Sequence, residues 1–169
     1  SAFGSRDQLA EFNSVTNKFT FQTLIGSESH IAVVDRDGKN YTVFVDGEYP
    51  RWMSDGKSIL FQKKIGNFDQ IFTLNLKDGS VIQLTSGAFD SSHAVASPSQ
   101  NIIAFTSNRD GSRHLYTMHK DGSNLTQLTT GQTQEAFPDW LSDSEIVFSS
   151  DAGAISISTL SPFNWPHAD

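Results

Sequence analysis

The sequence predicts an all-β fold, a small β-propeller of about four four-stranded antiparallel blades, and three observations carry that expectation. The chain repeats itself every 40–44 residues, a period that marks stacked supersecondary units. Inside each unit, short runs of alternating apolar residues are separated by Asp-Gly or Ser-Asp-Gly, the pattern of strands joined by tight hairpins. The same aromatic returns at the same phase of successive units, which a sandwich of irregular strands would not require.

The clearest unit runs from Pro50 to Gly87, the next ends at Gly131, another copy begins at Pro138, and a more diverged first copy ends at Gly47. Phe12, Trp52, Ala96 and Trp140 share one position, at spacings of 40, 44 and 44 residues, and Phe21, Phe61, Phe105 and Phe148 share a second. Asp37-Gly38, Asp78-Gly79 and Asp121-Gly122 recur where a hairpin needs residues that tolerate positive φ. A sheet with apolar residues on both faces is unstable alone, and radial stacking buries both faces. The expected blades span roughly 8–47, 48–87, 91–131 and 135–160, with a tail at 161–169, all in one domain. The fixed phase assigns Trp52 and Trp140 to blade-to-blade packing rather than to ligand binding.

Composition narrows the function. The chain of 169 residues is 37% hydrophobic and 18% charged, ordinary for one folded domain. A net charge of −7, with nothing more basic than the Lys63-Lys64 pair, removes the electrostatic footprint of a nucleic-acid binder. No apolar run approaches the roughly 18–20 residues of a membrane-spanning helix, so no membrane insertion is expected. With no cysteine there is neither a disulfide framework nor a thiolate site. The start at Ser1 fits either a mature form or a trimmed end.

The segment Trp52-Met53-Ser54-Asp55-Gly56-Lys57-Ser58-Ile59-Leu60-Phe61 resembles the Trp-Ser-Pro-Asp-Gly-Lys-x-Ile-Ala-Phe core of TolB-type propeller repeats. Ser107-Asn108-Arg109-Asp110-Gly111, Leu115-Tyr116-Thr117-Met118, Asp121-Gly122-Ser123-Asn124 and Leu128-Thr129 look like the remainder of that repeat, over residues 9–160. The sequence departs from it at Ala96, where Trp is usual, at Ser99-Gln100-Asn101 in place of Asp-Gly-Lys, around Ser144, and at Val15-Thr16-Asn17. TolB itself is similar to a six-bladed propeller behind another domain, whereas four units are present here. A closed four-bladed ring, a piece of a larger propeller and a ring completed between chains are all compatible with that count. The fourth unit offers three strands, the third from Ala154 to Thr159. Either residues 1–8 add its outer strand or a neighbouring subunit donates one, and Phe163 and Trp165 of the tail are candidate assembly contacts.

Catalytic and metal signatures are unmet. Asp35-Arg36-Asp37-Gly38 lacks the further ligands of a calcium loop and reads as a hairpin; Arg109-Asp110-Gly111-Ser112 reads as an exposed hairpin too. His30, His93, His114, His119 and His167 show no zinc-site spacing and read mostly as surface or strand-edge residues. No Gly-x-Ser-x-Gly elbow or phosphate loop occurs, so no catalytic residue, metal or cofactor is expected. The candidate binding site is the channel mouth, where the loops before the inner strands bring Glu48, Tyr49, Arg51, Asp90, His93, Glu135, Phe137 and Asp139, together with Glu11, an acidic cluster with aromatic edges. Asn40-Tyr41-Thr42 and Asn124-Leu125-Thr126 match the N-glycosylation pattern, a coincidence of the turn sequence.

The function expected is a non-catalytic protein-interaction or structural scaffold, self-associating through the incomplete last blade. The resemblance implies an exported location, extracellular, on the cell surface or periplasmic. The alternatives are a carbohydrate-binding propeller with a glycan on Tyr49 or Phe137, and the propeller portion of an oligogalacturonate lyase or a prolyl-oligopeptidase-like enzyme.

Overall fold

The computed structural model describes residues 7–99, 101–152 and 154–159. The proposed assembly contacts Phe163 and Trp165, and the first six residues considered for strand addition, lie outside the described residues. Among the described residues, fifteen strands form four antiparallel sheets. The first comprises β1 (Gln8–Asn13), β2 (Lys18–Ile25), β3 (Glu28–Asp35) and β4 (Thr42–Asp46), and the second β5 (Glu48–Trp52), β6 (Ser58–Ile65), β7 (Phe68–Asn75) and β8 (Val81–Gln83). β9 (Ser91–Ala96), β10 (Ile102–Asp110), β11 (Ser112–His119) and β12 (Thr126–Gln127) form the third; β13 (Glu135–Ser142), β14 (Glu145–Ser150) and β15 (Ala154–Thr159) form a three-stranded fourth. This is the propeller arrangement that the repeat predicts. Gln8 pairs with Gln22 in the first sheet and so belongs to that blade.

The interior strands of the second and third sheets are apolar on both faces because a neighbouring sheet covers each face. In the second sheet, Trp52, Ile59, Phe61, Phe72 and Leu74 face one way and pack on Ile31 and Val33 of β3. Leu60 and Ile71 face the other way and meet Ile103, Phe105, Tyr116 and Met118 of the third sheet. The third sheet turns Val95, Ala104 and Leu115 towards Ile146, Phe148 and Trp140 of the fourth. The period of 2 thus assigns alternate residues of one strand to two different inter-blade cores. The recurring phenylalanines Phe21, Phe61, Phe105 and Phe148 are all buried, and Phe61 stacks on Phe72 and Phe105 on Tyr116, at 5.5 and 5.8 Å between centroids.

The tryptophans join blades by a hydrogen bond as well as by area. Trp52 Nε1–H donates to the carbonyl of Glu11, and Trp140 Nε1–H to the carbonyl of Val95, each at 3.2 Å. Both acceptors lie one residue before the matching anchor of the preceding blade. Packing runs from the first sheet to the fourth in order, and among the described residues no comparable packing returns from β13–β15 to β1–β4. Phe12, at the Trp52 position of the first blade, is accordingly 40% exposed where Trp52 is 7% exposed.

The Asp-Gly turns form as their residues demand. Gly38, Gly79 and Gly122 have φ of 82°, 71° and 86°, and Asp37, Asp78 and Asp121 each accept a hydrogen bond from the backbone N–H two residues on. The hydroxyls of Ser80 and Ser123 also bond to Asp78 and Asp121 and, with the backbone bonds, hold both carboxyls below the usual carboxylate range. A Cβ at Gly38 would meet open space, whereas one at Gly122 would lie 3.0 Å from the backbone oxygen of Leu84. Gly38→Ala is therefore expected to cost about 1 kcal/mol of left-handed strain alone, and Gly122→Ala about 2 kcal/mol. Urea denaturation of the two variants checks the difference, and equal costs would refute the contact at Leu84.

The Arg109–Ser112 hairpin forms with Asp110 and Gly111 exposed, as expected, while the half-buried Arg109 side chain lies back against the sheet. The guanidinium of Arg109 sits 4.8, 5.5 and 4.9 Å from the rings of Phe89, Phe105 and Tyr116. Asp110 accepts the Tyr116 hydroxyl at 2.6 Å, and burial, reinforced by that carboxylate, pushes the phenol above its ordinary value.

Candidate functional site

The inner strands β1, β5, β9 and β13 converge on a cavity of about 390 Å³. Its lining repeats three positions from each strand, the middle contributions being Ala10, Pro50, Ala94 and Pro138. Before each of these stands a residue whose side chain rims the cavity: Leu9, Tyr49, His93 and Phe137. All four are non-glycine residues with positive φ, 56°, 52°, 55° and 51°. Each coincides with an irregularity in the pairing of its strand to the next: Gln8/Glu11, Glu48/Arg51, Ala104/Thr106 and Ala136/Asp139. The extra residue of the bulge is what the left-handed conformation accommodates, and it redirects one side chain per blade to the mouth. Two of the four are held from behind, since Tyr49 N–H donates to Gln22 Oε1 and His93 N–H to Gln62 Oε1 of the preceding blade, at 3.3 and 3.2 Å.

The rim is aromatic and the floor is charged. The Tyr49 ring meets His93 edge-on at 5.1 Å, and His93 lies 4.4 Å from Phe137. Phe137 is 62% exposed, an apolar face left open at the mouth. Below, Arg51 Nε donates to Glu11 Oε1 and Nη2 to Asp139 Oδ1, both at 3.2 Å, so one guanidinium ties the inner strands of the first, second and fourth blades. The second Glu11 oxygen accepts the Trp52 N–H at 2.6 Å, which couples the floor to the inter-blade packing.

Burial lowers the proton affinity of His93 below the ordinary histidine value, and the charge of Arg113 adds to the effect against a smaller opposing pull from Asp69. The unfolded chain takes up a proton near pH 6.5, while the folded imidazole resists it. The contribution of His93 to stability is thus complete above that pH and declines as pH falls below it. Urea midpoints at pH 7.5 and 5.5 should differ more for the parent chain than for His93→Asn, whose side chain tolerates the left-handed backbone. An identical pH difference in both proteins would refute the assignment.

Of the residues singled out in the sequence, Tyr49, Arg51, His93, Phe137 and Asp139, with Glu11, line the cavity. Three others lie elsewhere. Glu48 borders a separate groove with Asp46, Lys63, Lys64 and Asp69. Asp90 accepts the backbone N–H of Asp69 at 2.9 Å and pairs with Asn108, fastening the loop before β9. Glu135 is 3% exposed; its Oε2 lies 2.9 Å from His114 Nδ1 and accepts the Thr129 hydroxyl at 3.0 Å, and its Oε1 accepts that of Thr133 at 2.7 Å. His114 is therefore a buried partner of Glu135, not a surface histidine. Leu9 was missed, because a leucine carries no sign of a turn conformation; the signal was its spacing of 40, 84 and 128 residues from Tyr49, His93 and Phe137. The two sequon asparagines, Asn40 and Asn124, have φ of 53° and 54°, and their side-chain amides reach Asp35 and His119.

Four repeated sheets around a cavity lined by their inner strands define a β-propeller. The sequence profile of the TolB beta propeller domain matches residues 11–162, and the chain belongs to that family. A putative TolB from Agrobacterium tumefaciens superposes with a TM-score of 0.80 at 20% identity, over 91% of this chain and 58% of that one. TolB from Acinetobacter baumannii gives 0.78 at 20% identity, over 91% and 41%. An oligogalacturonate lyase in complex with manganese shares the fold at a TM-score of 0.71 and 14% identity, over 95% and 52%. The chain thus spans about half the length of these proteins.

Proposed function

We propose that the chain is a non-catalytic interaction scaffold of the cell envelope, exported to the periplasm or the cell exterior, that receives an extended segment of a partner protein at the channel mouth. The observation that carries this reading is the rim of Leu9, Tyr49, His93 and Phe137 above the Arg51 ion pairs. Aromatic side chains around a central arginine are the residue types that dominate binding energy at protein interfaces. Glu11 and Asp139, the carboxylates of the cavity, are both engaged by Arg51, which suits them to fixing charge rather than to moving protons. Membership of the TolB family supports the envelope location and a protein partner.

The test is selection of peptides from a displayed library. Selected peptides should lose roughly tenfold or more in affinity on Phe137→Asn, which removes the ring while suiting the left-handed backbone, and on Arg51→Ala. Val15→Ser, in the exposed turn at the opposite end of β1, should leave affinity unchanged. Equal binding by all variants would overturn the reading. Glycan-array binding lost on Tyr49→Ala or Phe137→Ala would replace the peptide by a sugar stacked on the open Phe137 face.

A further inference from the structure

Gln22 of β2, Gln62 of β6 and Thr106 of β10 hold one position of the repeat, 40 and 44 residues apart. Each stands opposite the residue just before the bulge of its own inner strand, Gln8, Glu48 and Ser92 respectively. From that place the two glutamines reach the next blade: Gln22 Oε1 accepts the N–H of Tyr49 at 3.3 Å, and Gln62 Oε1 that of His93 at 3.2 Å. A backbone N–H only donates, so in each case the amide oxygen faces it. Gln22 secures its other end on Ser29, whose hydroxyl accepts Nε2–H at 3.0 Å. Gln62 is 6% exposed, so its bond is made away from water, where it is costly to leave unmade.

Thr106 is too short to do the same. Its hydroxyl stays within its own blade and donates to the carbonyl of Ser92 at 3.3 Å. Phe137 follows Thr106 by 31 residues, as His93 follows Gln62, yet among the described residues no side chain accepts its N–H. Tyr49 and His93 are half-buried, whereas Phe137 is 62% exposed. All three share the positive φ, so the glutamines do not create the left-handed turn. They add a tether to it, in two blades and not in the third.

We infer that Gln22 and Gln62 are positioning residues of the mouth: each fixes the rim residue of the following blade through its backbone N–H, so that Tyr49 and His93 meet a ligand already in place while Phe137 adjusts to it. Neither glutamine lines the cavity, so both act through the residues they hold. Holding a contact residue in its bound conformation beforehand removes part of the ordering cost of association. The inference rests on the reading of the mouth as a recognition site, but the tether is measurable without a ligand. His93 carries a second readout, because its ring is kept against Tyr49 and Phe137 and burial lowers its proton affinity. Released from Gln62, the imidazole gains solvent and its titration should move up towards the ordinary value near pH 6.5. The charges of Arg113 and Asp69, which also act on the ring, are unaltered by a substitution at Gln62.

The test uses the whole chain with Gln22→Met and Gln62→Met, which keep the length of the side chain and remove the acceptor. Amide hydrogen exchange should quicken roughly three- to tenfold at Tyr49 in Gln22→Met alone and at His93 in Gln62→Met alone, the worth of one hydrogen bond. Gln22→Glu keeps an acceptor for Tyr49 and can take the Ser29 hydroxyl hydrogen, and should restore the parent rate. The His93 titration, followed by NMR, should rise in Gln62→Met and stay in Gln22→Met. A peptide selected from the displayed library against the parent chain, fluorescently labelled, should bind each methionine variant more weakly by a similar factor. Exchange that is unchanged, or that quickens at both amides in both variants, would overturn the tether. Affinity that falls on Phe137→Asn but on neither methionine substitution would overturn the positioning role alone. Affinity indifferent to all three would overturn the reading of the mouth, and this inference with it.

Discussion

Trp52→Ala should be among the most damaging single substitutions in the chain, costing about 3–5 kcal/mol in urea denaturation followed by circular dichroism. The side chain is 7% exposed, packs among Ile31, Val33, Ile59 and Phe61, and donates to the Glu11 carbonyl. Truncation leaves a cavity between the first two blades and strands that carbonyl. Against a total stability on the order of 5–15 kcal/mol, the loss leaves a folded state of narrow margin. Trp52→Phe keeps most of the buried area but not the indole N–H, and should cost about 1–2 kcal/mol. Phe12→Ala, at the same repeat position, should cost distinctly less than Trp52→Ala because, among the described residues, no preceding blade packs against Phe12, which is 40% exposed. Equal costs at Trp52 and Phe12 would refute the assignment of this position to blade-to-blade packing.

Glu135→Ala should cost a similar amount, about 3–5 kcal/mol, for an electrostatic reason. The carboxylate serves three side chains, the buried His114 and the half-buried Thr129 and Thr133, and its removal leaves the buried imidazole without its partner. Glu135→Gln keeps the shape and part of the bonding and should cost less than half as much. The double variant Glu135→Leu, His114→Leu removes both members of the pair and should recover part of the single-variant loss, because no buried polar side chain of the pair is then stranded. A double variant less stable than Glu135→Ala would show that packing, and not pairing, sets the cost. Channel-mouth binding should survive Glu135→Gln, since the side chain does not line that cavity.

Much of the architecture was legible because the repeat phase is a physical constraint repeated four times. Trp52 and Trp140 occupy a position that only inter-blade packing explains, and the Asp-Gly pairs mark turns whose φ no other common residue adopts so readily. Among the described residues the last unit holds three strands, the number its sequence offers. The site was legible only in part. Glu135 reads as one more acid near a loop until its partners are known, and these lie 21 residues upstream at His114 and close by at Thr129 and Thr133, a pairing fixed by folding rather than by local pattern. Glu48 neighbours Tyr49 in sequence, yet the bulge between Glu48 and Arg51 sends the two side chains to different grooves. Arg51 was visible as a mouth residue, but not its grip on Glu11 and Asp139, which are 40 residues before it and 88 after it.

The positive φ shared by Leu9, Tyr49, His93 and Phe137 makes the mouth unusually open to redesign. The backbone there is dictated by the bulge of each blade and not by the side chain it carries, since leucine, tyrosine, histidine and phenylalanine all occupy it. A combinatorial library confined to these four codons would vary the recognition surface while leaving the inter-blade cores intact. Such a library should tolerate Asn, Asp, His and Gly freely and reject Val, Ile and Thr, whose branched Cβ suits the left-handed region least. Sequencing the folded survivors would read out the backbone conformation of all four positions at once, without any ligand in hand.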